Sequence, residues 1–133
     1  MAIDGNPAAT RPFYRLIGIE PDGSPLRGDA RLALSSRADL ENSRGEIHGG
    51  ALASLLDATM GSAVRAKLAP DKGATTVTLT VNYLKPARGR VNAEGRVLRV
   101  GKAIASVEAH AVDESGDIVA HGVGVMRILD KRS

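Results

Sequence analysis

A carboxylate in the middle of an apolar helix and a double glycine at that helix's mouth are the features of this chain best suited to chemistry. Asn42 stands six residues before His48, His48 is followed by Gly49 and Gly50, and Asp57 comes eight residues after Gly49. A helix mouth presents unpaired backbone N–H groups and the positive end of the dipole, which suits a developing oxyanion. A carboxylate among Leu, Ala and Met is costly without a partner or a task. The neighbours of Asp57 one turn away are Ala53, Ser54, Met60 and Gly61, so no cation on the same helix balances it. Together the two features suggest acyl chemistry.

The helix that must carry them is expected from about Gly49 to Leu68. It is rich in Ala, Leu and Met, has no proline before Pro70, and is apolar nearly all round, the mark of a helix buried on most sides. Its polar positions, Ser54, Asp57, Gly61 and Arg65, form one narrow stripe, expected to face a cleft or a partner chain. Before the helix, residues 1–12 read as a flexible arm. Tyr14 to Glu20 reads as a strand ending in a turn at Pro21 to Ser24, and Asp29 to Ser35 as its hairpin partner. After the helix, Ala74–Leu84, Gly89–Val100, Lys102–Val112 and Ile118–Leu129 read as four long strands with short turns between them, an antiparallel meander. One helix wrapped by a curved sheet of about six strands, an α+β domain over residues 13–130, accommodates the whole layout.

The 133 residues are enough for one core and too few for two. With 43% hydrophobic and only 2% aromatic content, Val, Leu, Ile and Ala must build that core. The absence of cysteine excludes thiol nucleophiles, thiolate metal sites and disulfides. No apolar run reaches membrane-spanning length, and a soluble cytoplasmic protein without membrane attachment is expected. The net charge of +3 is spread over scattered Arg and Lys residues without aromatic platforms. That pattern favours a phosphorylated small molecule over nucleic acid. The three histidines, His48, His110 and His121, lack ligand spacing, and His110 and His121 sit in predicted strands with no paired carboxylate motif, so no metal site is expected. No G-x-S-x-G elbow accompanies a Ser-His-Asp triad.

Several of these pieces resemble the hotdog fold, and more closely the PaaI-type acyl-CoA thioesterases of the 4-hydroxybenzoyl-CoA thioesterase superfamily. The matching pieces are Asn42, the His48-Gly49-Gly50 triplet, Asp57, the strand from Val81 to Pro86, the turn from Arg99 to Lys102 and the hairpin from Asp113 to Ala120. The resemblance covers about residues 13–130. It implies a long antiparallel sheet around one central helix and hydrolysis of an acyl- or aroyl-CoA, with no cofactor beyond the coenzyme A of the substrate. Asp57 would be nucleophile or general base, the Gly49 N–H the oxyanion donor, Asn42 the group orienting the carbonyl, and Thr76 the hydroxyl placing the attacking water. His48 and Gly50 would border the substrate, although a histidine at a helix start commonly bonds locally to fix the loop. Arg88, Arg90, Arg96, Arg99 and Lys102 are candidates for the coenzyme's phosphates, with Arg88 and Lys102 foremost.

Gly49 and Asp57 are roughly 12 Å apart at 1.5 Å of rise per residue, whereas each must lie about 3 Å from its target on one thioester. If both are catalytic, one helix cannot serve one substrate. The site then joins Gly49 and Asn42 of one chain to Asp57 of another across a two-fold axis. A homodimer is expected, and a homotetramer as a pair of dimers. Two other readings fit the same features: a hotdog enoyl-CoA hydratase or dehydratase, and a non-catalytic acyl-CoA-binding module. Small aliphatic residues lining the pocket favour tolerance of many acyl groups.

Overall fold

The computed structural model describes residues 11–24 and 28–130. Its centre is helix α2, Gly49–Arg65. Leu52, Leu55, Leu56, Met60, Ala63 and Val64 are buried along it, which explains an apolar pattern that leaves little room for a polar face. The buried Thr59 hydroxyl donates to the Leu55 carbonyl at 2.7 Å, so no polar group is orphaned there. The helix ends at Arg65 rather than Leu68. Lys67 and Leu68 bond back to Val64 and Arg65, three residues away, and tighten the exit before Pro70.

Around α2 curves one six-stranded antiparallel sheet. Its strands are β1 (Glu20–Pro21), β2 (Ala30–Ser35), β3 (Lys72–Tyr83), β4 (Arg90–Val100), β5 (Ile104–Val112) and β6 (Ile118–Asp130), in the order β1-β2-β4-β5-β6-β3. This is the hotdog arrangement expected above. The meander, however, holds only for β4, β5 and β6. β3 does not pair with β4; it crosses to the far edge and pairs with β6, Thr80 opposite Val123. Residue alternation reports a strand but not its neighbour. The 84–89 connection makes the crossing, with Pro86 inside it and Gly89 at φ 70° closing it.

The concave face is built from small residues, among them Ala93, Gly95, Ala109, Ala111 and Gly122. A Cβ on Gly95 would lie 3.0 Å from the Thr59 carbonyl oxygen, so the helix backbone rests directly against the sheet there. This close approach is how a core nearly free of aromatic residues brings helix and sheet into close packing.

The N-terminal reading needs correction. Pro12–Ile17 is a short helix, α1, and of the strand expected over Tyr14–Glu20 only Glu20 remains, in a two-residue strand with Pro21. Proline opens α1, and Gly18 closes it at φ 84°, with Gly18 and Ile19 both donating to the Tyr14 carbonyl at 2.8 Å. These caps outweigh the β-propensity of Tyr and Ile. The arm expected over residues 1–12 lies outside the described residues up to residue 10, and Pro12 is already helical. Among the described residues, no helix is long and apolar enough to cross a membrane.

Candidate active site

At the mouth of α2 the backbone donors of the first turn can be assigned one by one. His48 is the N-cap; its Nδ1 accepts the Gly50 N–H at 2.8 Å, and its carbonyl accepts those of Ala51 and Leu52 at 2.9 and 3.2 Å. The Gly49 N–H alone in this turn has no acceptor among the described residues. Gly49 lines an open cleft of about 400 Å³ whose walls include Asn42, Glu46, Leu52, Tyr83 and Leu84. His48 thus fixes the loop through Nδ1, as a local cap does. The Gly50 N–H is committed to that cap and is not free for a ligand.

Asn42 shapes the loop leading to this mouth. Its Oδ1 accepts the backbone N–H groups of Arg44 and Glu46 at 2.8 and 3.2 Å, an Asx turn. Its Nδ2 donates to Glu46 Oε1 at 3.2 Å, leaving the second amide proton uncommitted. Glu46 is buried, and Arg44 and Arg88 approach its two oxygens at 3.1 and 3.4 Å. The Asn42 amide first, then the two guanidiniums, hold the Glu46 carboxyl below its ordinary range against an opposing desolvation. Sequence reasoning missed Glu46, because nothing in its spacing distinguishes it from a solvated loop charge. The stability it contributes is present above the ordinary glutamate range and is lost as pH falls through the lowered folded-state value. Glu46→Gln is therefore expected to lower Tm at neutral pH, with the difference from the wild type vanishing as pH falls through the lowered folded-state value, as thermal melts across pH would record.

Asp57 lies half-buried on the stripe of α2 that the other elements leave uncovered, with Ser54 and Arg65 also half-buried and Gly61 buried. Its Oδ1 accepts the Thr76 hydroxyl proton at 2.7 Å. Oδ2 stays available to a substrate, and the Thr76 oxygen keeps its lone pairs for a water. A bulge makes this contact. Thr76 pairs with Met126 and Thr78 with Val125, so Val77 is the extra residue and the two threonines point to opposite faces. Without it both would share one face.

The basic candidates do not converge within one chain. Arg88 donates to the carbonyls of Arg44 and Gly45 and braces the Asn42 loop. Arg90 is paired with Glu20 at 2.8 Å, whereas Arg96, Arg99 and Lys102 are exposed. Arg88 precedes β4 and Lys102 follows it, which separates them by roughly 30 Å of strand. His110 and His121 are cross-strand partners, with Glu94 4.0 Å from the first and Glu108 3.3 Å from the second. Both carboxylates come from register, which spacing does not reveal.

A family model described as Thioesterase superfamily matches residues 44–120. A candidate esterase of Halobacterium salinarum is 36% identical, the match covering 77% of this chain and 75% of that protein. A Bacillus halodurans protein crystallised with CoA is 30% identical with a TM-score of 0.79, over 88% of this chain and 75% of that one. The E. coli PaaI protein of the phenylacetic acid degradation operon shares the fold at a TM-score of 0.80, with 21% identity over 92% of this chain and 87% of its own.

Proposed function

The chain belongs to the thioesterase superfamily and is a thioester hydrolase, and on that premise we propose that it cleaves an acyl- or aroyl-CoA to the free acid and coenzyme A. The observation that carries this reading is the single unpaired N–H at the mouth of α2, Gly49, opening on a cleft beside Asn42. One water is consumed. Asp57 either takes a proton from that water as it adds to the carbonyl, or adds itself to give a mixed anhydride that water then opens. In both routes the carbonyl oxygen becomes an oxyanion held by the Gly49 N–H and the free proton of Asn42. Collapse expels the coenzyme A thiolate, which takes up the proton. Hydrolysis of one turnover in labelled-oxygen water separates the routes, because label in Asp57 requires the anhydride. A cytoplasmic location belongs to the same reading.

The acting unit is a homodimer, with Asp57 and Thr76 of one protomer serving Gly49 and Asn42 of the partner subunit. Support comes from the free edge of β3. It is an outermost strand of twelve residues with exposed Thr75, Thr76, Val77 and Thr78, and it contains no proline to block pairing. α2 runs alongside β3 with Gly49 tied to Tyr83 and Asp57 tied to Thr76. An antiparallel seam of two β3 edges centred between Leu79 and Thr80 would set each Thr76 across from Tyr83 of the partner subunit. Asp57 would then face the opposite helix mouth. Pairs of such dimers make the homotetramer. The test is free-thiol release across a panel of acyl- and aroyl-CoA esters, with crotonyl-CoA included to detect hydration. Thiol release is expected. Loss of enoyl absorbance without thiol would instead identify a hydratase, and binding without either reaction a binding module.

A further inference from the structure

Tyr83 ends β3 and is half-exposed, yet its side chain reaches back to the helix mouth. Its hydroxyl donates to the Gly49 carbonyl at 2.7 Å. Its ring lies so close that a Cβ on Gly49 would sit 3.3 Å from the ring carbon bearing the hydroxyl. The missing side chain at Gly49 is therefore what lets the ring settle against the first turn. The Gly49 carbonyl belongs to the helical ladder, so the tyrosine proton is a second donor to one oxygen. On the other side of the same peptide group, the Gly50 N–H donates to His48 Nδ1 at 2.8 Å.

The tyrosine hydroxyl, the Gly49–Gly50 peptide and the His48 ring thus form one hydrogen-bonded row. We infer that Tyr83 is a positioning residue for the oxyanion donor, acting through this peptide. With the peptide plane held at both its oxygen and its nitrogen, Gly49 cannot rotate about its own φ and ψ without breaking one of the two bonds. Its own N–H stays aimed into the cleft. A glycine pair restrains its own backbone least, and a donor that must reorient when the oxyanion forms loses the advantage of being fixed beforehand. The row also sets the chemistry of the histidine. Nδ1 is an acceptor, so the neutral ring carries its proton on Nε2, away from the helix.

This assignment rests on the thioester hydrolase reading for its kinetic part but not for its structural part. Tyr83→Phe keeps the ring and removes only the donor. The expected result is a fall in kcat of about tenfold, below the roughly 10²–10³-fold cost of removing an oxyanion donor outright. KM, coenzyme A affinity and Tm are expected to stay at wild-type values. In amide spectra recorded without substrate, the Gly50 N–H resonance should shift and the Gly49 N–H should exchange faster. Unchanged amides, or an unchanged kcat in a variant of an active wild type, would overturn the inference. So would a lowered Tm with raised KM and intact kcat, since that marks a packing role alone. A wild type inactive on every thioester would defeat the hydrolase reading, while the amide measurements would still decide the role of Tyr83.

Discussion

Asp57→Asn is expected to lower kcat by about 10²–10⁴-fold, the range lost with an essential acid–base group, while coenzyme A and acyl-CoA still bind. The substitution is nearly isosteric, and the Asn oxygen can still accept the Thr76 hydroxyl that now meets Oδ1 at 2.7 Å. The side chain should therefore stay in place, and the loss should be chemical. What disappears is the negative charge and the ability to take a proton or attack a carbonyl. Binding of the nucleotide portion should be unaffected, because no described contact joins Asp57 to a basic residue that could grip phosphate. Steady-state thiol release with calorimetric titration of coenzyme A would measure both quantities. Turnover at the wild-type rate would remove Asp57 from the mechanism and return the half-buried carboxylate to an ordinary surface role.

Mixing two inactive variants is expected to restore activity, and this is the sharpest test of the shared site. Gly49→Pro deletes the single unpaired N–H of the helix mouth with little harm to the helix. Proline is favoured at the first helical position, and His48 already sits at ψ 138°, the extended backbone that a following proline requires. A Cβ at this position would press on the half-exposed Tyr83 ring at 3.3 Å, and that ring must yield. Homodimers of Gly49→Pro and of Asp57→Asn should each be nearly inactive. A heterodimer purified with two different tags would hold one site with both lesions and one with neither, and should regain about half the wild-type rate. If Gly49 and Asp57 served the same substrate from one chain, every site in the heterodimer would carry one lesion and nothing would return. The outcome separates the two geometries without any structure of the assembly.

Much of this site was legible in the chain before folding was considered. Asn42, His48, Gly49 and Asp57 lie within one loop and one helix, where spacing in sequence maps directly to spacing in space. The apolar pattern of α2 and the four long strands after it followed from periodicity in the same way. Glu46 was not legible, because its meaning lies in being enclosed by Asn42, Arg44 and Arg88. Tyr83 stood in a noted strand, but its hold on Gly49 spans 34 positions of chain. Thr76 came only from the family resemblance; the bulge at Val77 is what turns it toward Asp57.

The sequence by itself determined the central helix, the four long strands after it and the order of chemical groups along that helix, because these depend on neighbours a few residues apart. Tertiary structure alone decided that β3 leaves the meander for the far edge and that His110 and His121 each meet a glutamate. Alternation specifies which face of a strand is buried but carries no label for the strand beside it. Pairing and register are set only when the whole sheet closes around the helix and buries its small-residue face.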